Sequence, residues 1–254
     1  MKIRILNKSN SKLRFVLEDS DVGFANALRR TMLSELPTLA IEDVTFFENT
    51  SALYNELVAH RLGLIPLTTD LKTFKLPGSC GCKGKGCPKC QLIFTLVRKG
   101  PGMVYSGDLK SSDPKIKVAD DKIPIVKLLE HQNIKLEATA ILGQGKTHAK
   151  WQPGIIAYQY YPNIDVKKQT CIKSAKEVCP KDVFDDKGVA ALEKCDLCRE
   201  CVDVCGKDAI EVTGINTKFL FNIETNGSHK PESIVIESAK YLGEKAKEFE
   251  KELK

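Results

Sequence analysis

One short run of cysteines constrains this chain more than any other feature of its sequence. Cys195, Cys198, Cys201 and Cys205 follow one another at spacings of three, three and four residues. Thiolates at this spacing can close on one face of an iron–sulfur cluster, and Cys179, which precedes a proline, can supply a further ligand. The run therefore predicts a bound cluster. Zinc is the alternative, although zinc ligands usually come as two separated pairs.

The segment around this run repeats itself at an offset of 26 residues. Residues 178–184 read VCPKDVF and residues 204–210 read VCGKDAI. This pattern resembles the two-fold repeat of a two-cluster ferredoxin. The positions that correspond to the first three cysteines hold Gln169, Ile172 and Ala175, which cannot bind iron. One of the two cluster sites has therefore been lost.

The ferredoxin resemblance implies a ligand set for the remaining site. In such proteins the fourth cysteine of each run serves the other cluster, so Cys179 joins Cys195, Cys198 and Cys201. Four ligands favour a [4Fe-4S] cluster, and a [3Fe-4S] form stays open. Two cysteines then lack a cluster, and they either form a disulfide or stay buried thiols: Cys171 and Cys205.

A second group of cysteines lies in a loop at residues 77–91 that is rich in glycine and proline. Its members are Cys80, Cys82, Cys87 and Cys90. Four thiolates in so short a segment can surround a tetrahedral Zn2+, and glycines allow the tight turns. We expect one structural zinc with no open position for catalysis. The alternative is a mobile loop with free thiols.

Composition excludes several classes of protein. The chain has 254 residues, 42% of them apolar, which suits a globular protein. The net charge of +6 comes from interleaved acidic and basic residues, and we find no DNA-binding motif. We also find no long apolar stretch and no signal peptide. Eight of the ten cysteines fall in the two metal-type groups, as in a reducing compartment, so we expect a cytoplasmic protein without membrane contact.

The remaining pattern predicts an α+β fold. Strands are expected at residues 2–6, 12–17, 41–48, 91–99 and 134–142. A helix is expected at residues 23–36, capped by Ser20 or Asp21 and ended by Pro37. Its apolar face includes Phe24, Leu28 and Met32.

A second helix is expected to begin at Pro231 and to continue to residue 254. Apolar residues recur along it at spacings of four and three, which is typical of a seam that packs on another helix. The first half of this seam can instead pack on the domain's own sheet. The second half is too charged to be buried on both sides, so we expect a partner helix. The seam comprises Val235, Ala239, Leu242, Ala246, Phe249 and Leu253.

Four motifs resemble the α-type assembly subunits of multisubunit RNA polymerases. They are FANALRR at 24–30, ELVAHRLGLIPL at 56–67, GKTHAKW at 145–151 and ETNG at 224–227. The resemblance spans essentially the whole chain. It implies a discontinuous dimerisation domain at 1–43 and 213–254, with a returning strand at 161–167. It also implies an insert domain at 44–160 and a ferredoxin-like iron–sulfur domain at 168–212.

The same resemblance implies the partners. A smaller α-like subunit, subunit L, would contact the two helices through Phe24, Leu28 and Met32 and through the seam residues Val235, Ala239, Leu242, Ala246 and Phe249. The heterodimer would then nucleate assembly of the large catalytic subunits, and contact with DNA would be indirect.

No catalytic residue is predicted. Residues 140–147 match a relaxed phosphate-loop pattern, but Pro153 follows too soon for the helix that such a loop must feed. The four histidines are dispersed, and no carboxylate cluster that could hold Mg2+ stands out. Two other functions stay open: an electron-transfer subunit of an oxidoreductase complex, and a stand-alone zinc-stabilised binding module.

Overall fold

The structure is a computed structural model that describes residues 1–82 and 85–253. Positions 83 and 84 of the predicted zinc loop therefore lie outside the described residues. The same holds for residue 254, the predicted end of the C-terminal helix.

The described residues form twelve strands and five helices, with short 3-10 turns between some of them. The strands are β1 (Lys2–Lys8), β2 (Lys12–Glu18), β3 (Thr38–Asn49), β4 (Gln91–Lys99), β5 (Gly102–Tyr105), β6 (Lys110–Ser111), β7 (Pro124–Leu128), β8 (Asn133–Gly143), β9 (Gly154–Val166), β10 (Phe184–Asp185), β11 (Gly188–Val189) and β12 (Ile210–Thr225). The helices are α1 (Val22–Ser34), α2 (Asn55–Gly63), α3 (Ile172–Val178), α4 (Glu200–Cys205) and α5 (Pro231–Glu252).

The first compact unit comprises residues 1–29 and 156–223. Its main sheet has the order β1-β2-β12-β9, so β1 is an edge strand. Alternate residues of β2 are apolar and buried, and Phe15 stacks on Phe221 of β12 with 5.0 Å between ring centroids. Phe15 shares its face of the sheet with Leu13 and Leu17, because side chains two residues apart along a strand lie on the same side.

The rest of the first unit is the segment that carries the ferredoxin-like repeat. It contains the short helices α3 and α4 and the small hairpin β10–β11. These elements are too short to be stable alone, and they share a core of their own. That core includes Ala175, Phe184, Cys195, Cys201 and Val212.

The second compact unit comprises residues 30–155 and 224–254. Its larger sheet has the order β3-β8-β4-β6, and β5 pairs with β7 in a smaller one. Every second residue of β8 from Ile134 to Leu142 is buried, as the alternating sequence predicts. Helix α2 contributes Val58 and Leu62 to the same core.

The α+β class predicted from the sequence is confirmed, and most boundaries move by only a few residues. The strand predicted at 91–99 is β4, and the helix predicted at 23–36 is α1, which ends earlier at Ser34. Of the two predicted caps, Asp21 fills the role, because its Oδ1 accepts a hydrogen bond from the amide of Phe24 at 2.9 Å.

The compact units do not coincide with the predicted domains. They divide the chain after residues 29, 155 and 223, so residues 1–29 fall with the ferredoxin-like segment and α5 falls with the insert. The three predicted domains therefore stay a prediction. Among the helices of the described residues, none is long and apolar enough to cross a membrane.

Candidate metal centres

The zinc loop is a closed turn at the start of β4. A 3-10 turn at Pro77–Ser79 leads into it, and Lys75 donates its amide to the carbonyl of Lys89 at 2.9 Å, which fastens the base of the loop. Gly86 has a φ of +85°, a conformation that glycine adopts without strain. These features order the described residues of the loop, although few of them are apolar.

The four sulfur atoms of this loop lie in a geometry that suits a single metal ion. They all lie within 4.8 Å of one another. The Sγ atoms of Cys80 and Cys87 are 3.5 Å apart, as are those of Cys82 and Cys90. A Zn–S bond of about 2.3 Å gives a tetrahedron with edges of about 3.8 Å, so the thiols fit zinc closely.

Burial favours the neutral form of at least one thiol in this loop. Cys80 and Cys90 are buried, and burial raises the pKa of the Cys90 thiol far above its usual range. A positive ion is needed to hold such a sulfur as a thiolate. Since protein sulfur can fill all four positions of a tetrahedron, the loop suits a structural ion rather than a catalytic one.

The other predicted centre is a cavity in the first unit. All four predicted iron ligands line it: Cys179, Cys195, Cys198 and Cys201. Its apolar wall is formed by Ile164, Val183, Phe184 and Val212. Sequence reasoning placed the four cysteines at one site but missed these wall residues, which are separated in the chain and converge only through the fold.

Each cysteine of this cavity is presented by a different local structure. Cys179 follows α3, Cys195 follows the 3-10 turn Leu192–Lys194, and Cys201 lies on α4. The two residues nearest Cys198, Leu197 and Arg199, both have left-handed backbone conformations with φ of +62° and +67°. This conformation costs free energy for non-glycine residues, and the surrounding structure must hold it in place.

The electrostatics of the cavity oppose four free thiolates. Burial raises the pKa of Cys195 and of Cys201, and the charges of the neighbouring cysteines raise it further. At Cys198 the Glu200 amide favours the thiolate, but partial desolvation and Asp196 outweigh it and the pKa is raised. A cationic group at the centre would remove this repulsion.

The sulfur spacing separates this cavity from the zinc loop. Within residues 1–82 and 85–253, the zinc loop is the one group of three or more metal-binding side chains whose ligand atoms all lie within 4.8 Å of one another. The cavity cysteines do not meet this criterion, so among the described residues the geometry of a single-ion site is found at the zinc loop.

Cys171 and Cys205 form a disulfide in the structure, with 5.9 Å between their Cα atoms. Of the two alternatives left open by the sequence, the buried thiols are therefore wrong. The bond joins the start of α3 to the end of α4. It stands outside the cavity, whose lining contains neither residue.

The predicted partner residues divide into buried and exposed ones. Leu28 and Met32 are buried by the chain itself, so they belong to its own core. Phe24 is half-buried. On α5, Val235 and Leu242 are half-buried, whereas Ala239, Ala246 and Phe249 are exposed. The helix turns a different stripe inward, formed by Pro231, Ile234 and Ser238.

Two exposed apolar residues on β1 were missed by the sequence analysis. Ile3 pairs with Leu17 and Ile5 with Phe15, so both lie on the apolar face of the first sheet. They are 58% and 60% exposed, whereas their partners are buried. Alternating apolar and polar residues at positions 1–6 could have indicated this exposed apolar face. The pairing with β2 is needed to show that the face lies beside buried residues.

Known proteins resemble this chain along its whole length. The DNA-directed RNA polymerase subunit Rpo3 of Methanosarcina acetivorans is 41% identical, over 98% of this chain and 97% of its own. The Rpo3 subunits of Thermococcus kodakarensis and Archaeoglobus fulgidus are 42% and 38% identical, over 100% and 98% of this chain and 98% and 97% of their own. This chain belongs to the Rpo3 family.

A family model described as the RNA polymerase Rpb3/RpoA insert domain matches residues 42–158. The insert domain expected from the sequence covers 44–160. The electron-transfer hypothesis gains no support, because the Rpo3 relatives are named as polymerase subunits and match from end to end.

Proposed function

We propose that this Rpo3-family chain is a non-catalytic assembly subunit of DNA-directed RNA polymerase, with the role that the α-like, third-largest subunit has in an archaeal enzyme. The observation that carries the proposal is the match to Rpo3 subunits at about 40% identity across nearly all of both chains. It pairs with the smaller α-like subunit L, and the pair nucleates assembly of the large catalytic subunits in the cytoplasm. DNA is contacted only through the assembled enzyme.

The distribution of exposed apolar side chains supports such a partner. Phe249 is 64% exposed in the last turn of α5, and Leu253, which directly follows the helix, is 71% exposed; charged residues surround both in the sequence. Side chains of this size in a helical seam are stabilised by packing against another helix. Ile3 and Ile5 give the first unit an apolar edge of its own.

Two metal centres would act as clamps in this subunit. Zn2+ held by Cys80, Cys82, Cys87 and Cys90 would fix the loop before β4. An iron–sulfur cluster held by Cys179, Cys195, Cys198 and Cys201 would tie α3 to α4 and neutralise the mutual repulsion of the thiolates. The support for the cluster is the common cavity, which all four cysteines line, and its apolar wall. The [4Fe-4S] form uses all four ligands.

The experiment that tests the assembly role is an anaerobic pull-down of the tagged chain at mild salt from its native cytosol. We expect a small α-like chain and two chains above roughly 100 kDa to co-purify, because the proposed subunit holds the smaller α-like subunit and the large catalytic subunits in one enzyme. Recovery of the tagged chain alone, or with unrelated chains, would overturn the proposal. The control is the same tag on an unrelated protein of similar charge.

A further inference from the structure

The turn that leads into the first cysteine of the run is built into the sheet of the first unit. This turn is the 3-10 segment Leu192–Lys194, which Cys195 follows. Leu192 packs against a buried cluster that contains Tyr161 and Leu220. The turn is therefore anchored by the sheet, although it belongs to the segment that carries the cysteines.

The main chain of Cys195 is held on both sides. Its amide donates to the carbonyl of Leu192 at 3.1 Å, and its carbonyl accepts a hydrogen bond from Nε2 of Gln159 on β9 at 2.7 Å. Two residues earlier, the carbonyl of Glu193 accepts a hydrogen bond from Nη2 of Arg14 on β2. Because both peptide groups of Cys195 are held, the buried sulfur can move mainly by rotation of the side chain.

The side chain of Glu193 adds a third attachment. The Tyr161 hydroxyl donates to Oε1 of Glu193 at 3.2 Å, and Nη1 of Arg4 on β1 lies 3.7 Å from the same oxygen. Tyr161 is itself buried, and Lys218 lies over its ring at 4.6 Å. Strands β1, β2 and β9 thus all contact one short turn.

We propose that Gln159, supported by Arg14 and Tyr161, is a positioning residue that presets Cys195 for the metal group in the cavity. The inference rests on the proposed cluster. A ligand that is already ordered loses less conformational entropy on binding, so the group binds more tightly. By linkage, the bound group stabilises the sheet that presets the ligand, β1 and its exposed apolar edge included.

The test compares melting temperatures of the intact chain with and without its reconstituted iron–sulfur cluster. Gln159→Met keeps a similar volume and no charge but removes the N–H donor. We expect the gap between the loaded and the unloaded melting temperature to shrink, and release of iron to a chelator to be about fivefold faster, as for the loss of one hydrogen bond. Gln159→Lys, which again offers an N–H donor, should restore part of the gap.

The matched control is Gln144→Met in the second unit. Nε2 of Gln144 also donates to a backbone carbonyl, that of Glu35 at 2.8 Å. This variant should lower both melting temperatures equally and leave the gap and the iron release unchanged. If Gln159→Met also lowered both melting temperatures equally and left iron release unchanged, Gln159 would not be a positioning residue, although the cluster would still be present. If the wild-type chain took up no iron, both the proposed cluster and the positioning role of Gln159 would be wrong. The assembly role, which the pull-down tests, would not be affected.

Discussion

At the scale of single residues, the two cysteine sites differ in how deeply their ligands are buried. In the zinc loop, Cys90 is almost fully buried and receives the Cys87 amide at 3.3 Å. In the cavity, Cys195 and Cys201 are buried, whereas Cys198 is exposed. A buried ligand supports both metal and core, and an exposed one supports the metal alone. This difference leads to the next two predictions.

Replacing Cys90 with serine should abolish zinc binding. Zinc binding supplies on the order of 10 kcal/mol in small zinc peptides, so its loss should unfold the loop locally. Metal analysis and amide hydrogen exchange across residues 75–91 measure both effects. Ser79→Ala is the control, since the Ser79 hydroxyl bonds only locally, to the carbonyl of Leu76. Full zinc content in the Cys90 variant would contradict the assignment.

Replacing Cys198 with serine should be milder than replacing Cys201. Cys201 lies in the core of the cysteine-bearing segment, so Cys201→Ser should lose iron and also lower the melting temperature of the cluster-free chain. Cys198→Ser should reduce iron content but leave that melting temperature near wild type. Iron analysis, and thermal denaturation of the iron-loaded and the cluster-free form of each variant, measure these effects. If both substitutions destabilised the cluster-free chain equally, the prediction would be wrong.

His229 should make the stability of the chain depend on pH. Burial lowers its pKa from 6.5 to about 4, while its Nε2 lies 3.1 Å from the carbonyl of Pro37. The unfolded chain then binds the proton first as the pH falls below 6.5, so stability is lost on acidification. The loss should be about 2 kcal/mol between pH 7 and pH 5.

Urea denaturation at both pH values measures this effect, with His229→Gln as the reference. The variant removes the titrating ring, so the difference between the two proteins isolates it from carboxylates that titrate at lower pH. The same pH dependence in both proteins would show that His229 contributes nothing to it.

At the scale of elements, α5 has two stripes with different roles. Ile234 and Ser238 are buried in the chain, whereas the predicted seam grows more exposed toward its end. The last turns of α5 carry many charges and only single apolar residues, so packing against the rest of the chain stabilises them little. The seam is therefore where a partner helix would add the most stabilisation.

Phe249→Glu should weaken binding of the smaller α-like subunit at least about tenfold, or about 1.4 kcal/mol, without lowering the melting temperature of the free chain. The reason is that Phe249 is 64% exposed in the chain alone. Titration calorimetry with the partner measures the affinity. Ile236→Glu is the matched control, because Ile236 is 52% exposed on α5 but lies off the seam. Equal losses in both variants would speak against the seam.

At the scale of the whole molecule, each proposed metal centre draws all its cysteines from one compact unit. The zinc loop belongs to residues 30–155, and the cavity cysteines belong to residues 156–223. Each centre should therefore stabilise its own unit most directly.

Calorimetry of the intact chain should show this separation. Removal of iron should lower the transition of the first unit, and removal of zinc should lower that of the second, because each ion stabilises only the state that holds its ligands. Hydrogen exchange assigns the transitions to the units. If removing either metal lowered both transitions equally, the two units would unfold as one.

The grouping of the cysteines into two sets was predictable because it depends on local spacing. Cys80, Cys82, Cys87 and Cys90 lie within eleven residues, so any compact turn brings them together. The run from Cys195 to Cys201 is similar, and the internal repeat identified Cys179 as the fourth member. Strand β4 and the α+β class were predictable from periodicity, because alternation and helical spacing are also properties of residues close together in the sequence.

Contacts between distant segments were decided only by the tertiary structure. The sequence left the state of Cys171 and Cys205 open. A disulfide requires two Cα atoms at a suitable distance in space, which their separation along the sequence does not determine. It assigned Leu28 and Met32 to a partner, whereas the fold buries them, because an apolar face looks the same in either role. Gln159 lies 36 residues before Cys195, and no local pattern predicts their hydrogen bond. Local chemistry thus determined which residues can bind metal, and packing over long range decided what surrounds and supports them.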